Sequence, residues 1–316
     1  MKEVLEVLPK TMKYLIEECK QYDALEEIRV RIGRPLECIA HGKVFFYDYI
    51  TTAEDAIYLL NKLSQFSIYT MEEELKRGYV TLRGGHRIGL AGKVITEKSA
   101  VKMIRDVSSF NIRIARQKIG IAEPLLPYLY EKRWLNTMVI GPPQTGKTTL
   151  LRDVARCMSQ GVSASEIPSC KVGIVDERSE IAGCVKGIPQ YDFGTRVDVL
   201  DACPKAEGMM MMIRSMSPDI LIVDEIGRKE DSEAIMEAVH AGVQLFISAH
   251  GFSYEDVVRR PSLKAVLELG IFDRFVELSK ARGPGTVMQV KDKYGKPVLS
   301  NRKGEGRMVK IFGCRC

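Results

Sequence analysis

The sequence predicts an α/β protein in which a parallel sheet with helices on its faces follows a smaller α+β domain. From residue 135 onward, short apolar runs alternate with helix-like segments, which is typical of a parallel sheet. Before residue 125, strand-like and helical segments follow one another without that alternation. A glycine-rich stretch, GPPQTGKTT at residues 141–149, separates an apolar run from a helical one.

These patterns divide the chain into three predicted parts. Residues 1–125 form the N-terminal α+β domain, residues 126–134 form a linker, and residues 135–316 form the α/β core. In the first part we expect helices at 4–19 and 53–75, the latter as one helix or two, strands at 28–32, 44–47, 101–104 and 110–115, and a hairpin of 79–83 with 86–90. The hairpin turn is Gly84-Gly85, a pair that accepts positive φ.

The core is expected to contain four parallel strands, because four apolar runs alternate with helix-like segments. They lie at residues 137–140, 172–175, 220–223 and 245–248, and a fifth strand is expected at 288–290. The methionine run 209–212 is interpreted as adaptable packing on a helix before the third strand.

The stretch 141–149 has the G-x-x-x-x-G-K-T pattern of a phosphate-binding loop, placed between a strand and a helix as that loop requires. Its main-chain amides can form a concave anion site at a helix N-terminus. Lys147 can contact the β- and γ-phosphates, and Thr148 can ligate Mg²⁺. The predicted ATP-binding residues are Gly141, Pro142, Pro143, Gln144, Thr145, Gly146, Lys147, Thr148 and Thr149.

Acidic residues follow two of the predicted strands, at the sheet edge where ligands bind in open parallel sheets. Asp224 is predicted in the Mg²⁺ shell, and Glu225 is predicted to polarise the attacking water. Asp176, as a metal ligand, and Glu177, as a catalytic residue, form a second acidic pair. The alternative for this second pair is a structural ion pair with Arg178.

His250 ends the fourth strand and is predicted to sense the γ-phosphate, whereas the histidines at 41, 86 and 240 are interpreted as structural. No Asn/Thr-Lys-x-Asp sequence for guanine recognition occurs, which favours ATP over GTP. No protein-kinase motif occurs either. A strand between the phosphate loop and the Asp224 strand, with Glu225 adjacent to Asp224, indicates a RecA-like P-loop ATPase core.

Composition indicates a cytoplasmic protein. No basic and apolar leader occurs at the N-terminus, and no apolar stretch approaches the ~20 residues of a membrane-spanning helix. Eight cysteines without C-x-x-C spacing predict reduced, buried thiols.

Residues 291–316 carry eight basic and two acidic side chains, a balance of +6 that equals the net charge of the whole chain. This tail is either an electrostatic patch for nucleic acid or anionic lipid, or a solvated terminus.

In the order of its motifs the sequence resembles the secretion-ATPase superfamily, the ring motors of type II and type IV secretion and of type IV pili. The phosphate loop, the acidic box at Asp176–Glu177, the Asp224–Glu225 strand and His250 match its four boxes. The chain departs from the usual pattern with Asp224 in place of glycine and Ser248 in place of threonine. The resemblance implies a homohexamer with an arginine acting across the subunit boundary, for which the candidates are Arg83, Arg87, Arg113, Arg178, Arg196 and Arg214.

Longer segments, VDERSEIAG at 175–183 and residues 196–228, resemble a sporulation family of endospore-forming bacteria. That resemblance implies an ATPase in the mother-cell cytoplasm, peripheral to the membrane through its partners. It would power assembly of, or transport through, the channel between mother cell and forespore, and its partners would be membrane proteins of that channel. Two alternatives stay open: a RecA-like nucleic-acid motor, although aromatic residues for stacking are scarce near the tail, and an ATP-gated interaction module.

Overall fold

The computed structural model describes residues 1–64, 71–97, 100–298 and 309–310. The chain divides into two compact units, one of Met1–Arg116 with Gly183–Lys186 and one of Gln117–Ala182 with Gly187–Cys316. The division thus falls before residue 125, because residues 117–125 are held by the second unit. There the amides of Gly120 and Ala122 donate to the Asp153 carboxylate, at 3.2 and 2.8 Å.

The first unit is an antiparallel sheet with helices packed on it. Its helices are α1 (Lys2–Val7), α2 (Lys10–Glu17), α3 (Ala53–Leu63) and α4 (Glu72–Arg77), and its strands are β1 (Leu25–Arg31), β2 (Pro35–Ala40), β3 (Lys43–Ile50), β4 (Tyr79–Thr81), β5 (Arg87–Glu97) and β6 (Ala100–Arg113). The strand order is β3-β2-β1-β6-β5-β4, with every neighbouring pair antiparallel. Apolar side chains of α1–α4 and of the alternating strand positions form one core.

The structure refines several predictions for this unit. The helix expected at 4–19 is two helices, because Pro9 stands between them and cannot continue the first. The strands expected at 101–104 and 110–115 are one long strand, β6. The predicted hairpin is confirmed as β4 and β5, and Gly84 and Gly85 have φ values of 80° and 77°. Strand β2 was not predicted, because the stretch Gly33-Arg34-Pro35 was interpreted only as the end of β1, whereas Pro35 is the first residue of β2.

The second unit is built on an eight-stranded sheet. Its strands in the sheet are β9 (Thr137–Gly141), β10 (Val172–Asp176), β11 (Val197–Asp201), β12 (Ile220–Ile226), β13 (Gln244–His250), β14 (Arg274–Ser279), β15 (Thr286–Asp292) and β16 (Val309–Lys310); a short hairpin of β7 (Tyr130–Glu131) and β8 (Arg133–Trp134) precedes them. Its helices are α5 (Leu126–Leu129), α6 (Lys147–Gln160), α7 (Lys205–Met216), α8 (Lys229–His240), α9 (Tyr254–Val258) and α10 (Pro261–Glu268).

The strand order is β11-β10-β12-β13-β9-β14-β15-β16. Along this order, the first six strands, β11, β10, β12, β13, β9 and β14, are parallel to one another. Strands β15 and β16 are each antiparallel to the strand before them. Strand β13 lies between the phosphate-loop strand β9 and the Asp224 strand β12, so the core is RecA-like, as predicted. All four predicted core strands are confirmed, and the fifth is the middle of β15.

Two strands of this sheet, β11 and β14, were not predicted. Strand β11 is at the sheet edge and all five of its residues are half-buried, so it carries no apolar run. Strand β14 contains Glu277, which is buried and 2.9 Å from the Lys291 ammonium of β15, so a charged residue interrupts its apolar pattern.

Helix α7 packs closely on the sheet through two glycines. A Cβ at Gly173 would lie 2.6 Å from Met212 Cγ, and a Cβ at Gly208 would lie 2.5 Å from Val175 Cγ1. Met209 and Met212 are fully buried against the sheet, whereas Met211 is 52% exposed. The prediction that this methionine run packs on a helix therefore holds for two of its members.

Three further expectations concern composition. The described cysteines are free thiols, most of them buried, whereas Cys314 and Cys316 lie outside the described residues. Most of the basic tail, 299–308 and 311–316, lies outside them too. In the described part of the chain, no helix is both long and apolar enough to span a bilayer.

Candidate functional site

The phosphate loop begins where the fully buried strand β9 ends and closes on the first residue of α6. Gly146 has a φ of 93°, a value that favours glycine. A Cβ at Gly141 would lie 2.5 Å from Thr145 Oγ1 and 3.2 Å from the carbonyl oxygen of Leu278. The loop therefore curls tightly at both glycines, and the first amides of α6 are left to bind an anion.

Lys147 is buried within this loop. Its ammonium donates to the carbonyl oxygens of Gly141 at 2.9 Å and of Pro142 at 3.1 Å, and lies 3.9 Å from Glu225 Oε1. Burial lowers the pKa of Lys147, and the nearby carboxylates of Glu225 and Asp224 oppose that effect. The lysine is thus held by main-chain acceptors at the mouth of the anion site.

Thr148 and Ser248 hold the Asp224 carboxylate from two sides. Thr148 Oγ1 donates to Asp224 Oδ2 at 2.6 Å, and the Ser248 hydroxyl donates to Asp224 Oδ1. This links the first turn of α6 to the ends of β12 and β13. A threonine hydroxyl bonded to an aspartate is the donor set that Mg²⁺ takes in phosphate-loop enzymes, so these residues fit that ion. Ser248 was not among the predicted site residues, although its departure from threonine was noted.

A bulge at the end of β12 orients Glu225. Val223 pairs with Ile247 and Ile226 with Ala249, so three steps along β12 match two along β13. Glu225 has a φ of 51°, and its amide donates to Ser248 Oγ at 2.9 Å. This conformation is uncommon for a residue other than glycine and is typical of functional positions.

The Glu225 carboxylate is bound by Arg178. Arg178 Nη1 donates to Glu225 Oε2 at 2.9 Å, and Lys147 lies near the other carboxylate oxygen. The cleft around this pair is lined by Asp176, Glu177, Glu180, Lys205 and Asp224. The sequence offered Arg178 either as a partner of the second acidic pair or as the arginine that acts across subunits; here it contacts the predicted catalytic glutamate.

Asp176 has a structural role in this unit. It is 2% exposed, and its two carboxylate oxygens accept the amides of Glu180 and Ala182, each at 2.8 Å. Burial raises the pKa of Asp176 to about 6, although these two hydrogen bonds favour the ionised form. Asp176 thereby closes the loop after β10. Its predicted role as a metal ligand remains a prediction.

Glu177, the other residue of that pair, forms an ion pair with Lys205 at the start of α7. Lys205 is largely buried and was not predicted from the sequence, because a lysine at the start of a helix carries no motif. The catalytic role predicted for Glu177 remains a prediction.

Arg152 of α6 fixes the same loop from the other side. Its guanidinium donates to the carbonyl oxygens of Glu180 and Ile181, both at 2.7 Å, and lies 3.7 Å from the centre of the Tyr191 ring. The helix that begins with the phosphate loop is thus bonded to the loop that carries Arg178. No sequence motif indicated this contact.

His250 is the last residue of β13 and pairs in register with Gly141, the first residue of the phosphate loop. Its side chain is exposed. The fold therefore brings the predicted sensor next to the phosphate loop, within the same sheet edge as Glu225.

The other candidate arginines differ in their surroundings. In the second unit, Arg196 donates to the carbonyl oxygen of Ser169 at 2.6 Å, and Arg214 is on the exposed side of α7. In the first unit, the Arg87 guanidinium lies 3.5 Å from the centre of the Tyr79 ring. Arg113 is 3.9 Å from Glu27, and Arg83 lies in the turn between β4 and β5.

The described residues contain no group of three or more histidine, cysteine, aspartate or glutamate side chains placed to hold a metal ion. A magnesium ion held by one hydroxyl, one carboxylate, water and phosphate oxygens needs no such group. Thr148 and Asp224 satisfy that smaller requirement.

Comparison with known proteins gives a consistent result. A family model described as "Sporulation stage III, protein AA" matches residues 1–298. The chain is 62% identical over 306 residues to stage III sporulation protein AA of Bacillus subtilis (strain 168), covering 96% of this chain and 99% of that protein. It is 27% identical over 267 residues to the protein SEEDLING PLASTID DEVELOPMENT 1 of Arabidopsis thaliana, covering 83% of this chain and only 35% of that protein.

Solved structures share the fold. The Legionella pneumophila ATPase DotB superposes with a TM-score of 0.60 at 15% identity, over 85% of this chain and 76% of that one. The pilus retraction motor PilT with bound ADP superposes with a TM-score of 0.59 at 18% identity, over 87% and 77%.

Proposed function

This chain belongs to the sporulation stage III protein AA family, and on that basis we propose that it hydrolyses ATP as a secretion-type motor. The observation that carries the proposal is the junction of α6, β12 and β13, where Lys147 and Thr148 face Asp224 and Glu225. The fold is shared with proteins named as an ATPase and as a pilus retraction motor.

In the proposed reaction, the amides of the phosphate loop bind the β- and γ-phosphates at the N-terminus of α6. The Lys147 ammonium leaves the carbonyl oxygens of Gly141 and Pro142 and contacts the phosphate oxygens instead. Thr148 and Asp224 would hold Mg²⁺, which would neutralise developing charge on the phosphates. Thr148 and Asp224 are already hydrogen-bonded to each other, so ordering these two side chains takes little of the binding energy.

Glu225 orients and polarises the attacking water, and His250, beside Gly141, senses the γ-phosphate. Because Arg178 binds Glu225 Oε2, the carboxylate has to exchange part of this contact for the water. The Arg178 side chain of this ion pair is exposed, so breaking the pair in water requires little free energy. Arg152 bonds the loop that carries Arg178 to α6, so the position of Arg178 is coupled to the helix that follows the phosphate loop.

We further propose that the active form is a homohexamer in the mother-cell cytoplasm. Its task would be to power assembly of, or transport through, the channel between mother cell and forespore, with membrane proteins of that channel as partners. The family membership and the fold shared with secretion-type motors support this part of the proposal. ATPase rate measured against protein concentration, with size-exclusion chromatography in ATP, tests it: activity that does not change with concentration and comes from a monomer would contradict the ring.

The chemical step is tested by replacing Glu225 with glutamine. Glu225→Gln keeps the size of the side chain but removes the charge that polarises water, so turnover should fall by about 10²–10⁴-fold. ATP affinity, measured by calorimetry, should change far less, because Lys147 and Thr148 remain. Glu268→Gln, an exposed glutamate at the end of α10, is the matched control and should have wild-type turnover.

Near-normal turnover in Glu225→Gln would refute the mechanism. Strong stimulation of the wild-type ATPase by single-stranded DNA, with steep salt dependence, would favour the nucleic-acid motor instead. Tight ATP binding without turnover in every oligomeric form would favour the ATP-gated module.

A further inference from the structure

An open groove of about 700 Å³ lies between α7 and α8, separate from the cleft that holds Glu225. Its lining includes the apolar residues Met210 and Met211 from α7 and Ala234 from α8, which we call the floor. It also includes four glutamates, Glu207, Glu230, Glu233 and Glu237, which we call the walls. Each of these glutamates is exposed.

The apolar floor is not needed to seal the core. Met209 and Met212 already fill the space between α7 and the sheet, where both are buried. Met210 is half-buried, Met211 is 52% exposed, and Met216 at the end of the helix is 44% exposed. Methionine is flexible and polarizable, and it is common on surfaces that receive apolar side chains of a partner.

The walls of the groove are acidic in a chain whose net charge is +6. Arg214 is the basic residue among those that line it. Lys229 lies 3.9 Å from Glu233, but both side chains are largely exposed, so this pair neutralises the wall weakly. Glu230, Glu233 and Glu237 are spaced at i, i+3 and i+7, and therefore form one row along α8.

We propose that this groove docks a basic amphipathic helix of a partner protein. Its apolar face would lie on Met210 and Met211, and its lysines or arginines would pair with the glutamate row of α8. This is the helix-in-groove mode of recognition, with apolar anchors at helical spacing. A second copy of this chain meeting the same face by two-fold symmetry is disfavoured, because it would place the glutamate rows against each other.

The probe is a fluorescein-labelled helical peptide of leucine and lysine, with its leucines on one face, and binding to the full chain is followed by fluorescence anisotropy without nucleotide. A peptide with glutamate in place of lysine tests the sign of the charge. The wall variant, Glu233→Lys/Glu237→Lys, reverses the charge of two of the three glutamates in the α8 row. Its matched control is Glu166→Lys/Glu268→Lys, which makes the same change in net charge at two exposed positions elsewhere in the second unit.

We expect the wall variant to weaken binding of the lysine peptide at least about tenfold, since two close charge pairs become repulsive. The control should weaken it less than about twofold, because neither Glu166 nor Glu268 lines the groove and interactions between exposed charges are screened by salt. Met211→Gln should weaken it by about fivefold, as expected if part of one side chain loses apolar contact. The glutamate peptide should not bind.

Equal loss of binding in the wall variant and the control would overturn the proposal, because attraction would then follow net charge alone. Unchanged binding in Met211→Gln would overturn the apolar part of the groove. Tight competition by a peptide of residues 299–316 would assign the groove to the chain's own basic tail. Self-association that the wall variant abolishes would assign it to a second copy. Both of these results would refute a partner helix. ATPase activity enters none of these measurements, so the outcome is independent of the proposed reaction.

Discussion

Ser248→Ala tests the arrangement around Asp224 most directly. The Ser248 side chain is fully buried, its hydroxyl donates to the Asp224 carboxylate, and its oxygen accepts the Glu225 amide at 2.9 Å. Alanine removes both hydrogen bonds at once. A bond to a charged group contributes about 1.5–3 kcal/mol and a neutral one about 1, so the free energy of unfolding should fall by about 2–4 kcal/mol.

Urea unfolding measures that loss, and Mg²⁺-dependent ATP binding gives a second readout because Asp224 loses one of its two hydroxyl partners. Ser248→Thr adds a methyl group at a buried position and should cost about 1–3 kcal/mol by overpacking, but it keeps the hydroxyl, so Mg²⁺-dependent ATP binding should be retained. Ser215→Ala removes an exposed hydroxyl that bonds only to the Met211 carbonyl oxygen among the contacts described, and should change stability by less than about 0.5 kcal/mol. If Ser248→Ala is as stable as Ser215→Ala, the hydroxyl does not hold this junction together.

Two further predictions concern the phosphate loop and the loop after β10. Gly141→Ala places a Cβ 2.5 Å from Thr145 Oγ1, so it should lower the free energy of unfolding in urea by about 1–3 kcal/mol and weaken ATP binding. Gly227→Ala is the control, because its Cβ would meet nothing within 4 Å. Equal stability of the two variants would contradict the packing described at Gly141. The pKa of Asp176 is raised by burial from 3.8 to about 6, so its ionisation should lower the free energy of unfolding by about 3 kcal/mol as pH rises from about 4 to above about 6. Asp176→Asn lacks this titration, so its stability relative to wild type should improve over that range; a pH-independent difference between the two unfolding curves would show that the carboxyl is not buried as described.

The pattern of the core could be predicted because its signals are local. A short apolar run marks β9, β10, β12 and β13, and an acidic pair follows the runs in β10 and β12. The phosphate loop after β9 is recognisable from the spacing of Gly141, Gly146 and Lys147. Strand β14 was not predicted, because the contact that explains its sequence is not local. Its buried Glu277 is acceptable only because Lys291, far along the chain, lies 2.9 Å away.

The site shows the same difference. Asp224, Glu225 and His250 are recognisable as polar residues that end strands, but Ser248, Lys205 and Arg152 act through partners distant in sequence. Arg178 was recognisable only as one candidate among several, because an arginine beside acidic residues has many possible partners. Its contact with Glu225 depends on β10 and β12 being neighbours in the sheet.

The sequence by itself determined which functional groups the site contains: an anion-binding loop, a hydroxyl, and carboxylates at strand ends. It also determined the alternation of strands and helices that aligns these groups. The tertiary structure decided which of these groups meet. The bulge after Val223 turns Glu225 toward Arg178, and the packing of α7 on Gly173 buries two methionines and exposes Met211. Both outcomes follow from distances between segments far apart in the chain, which local spacing and composition do not encode.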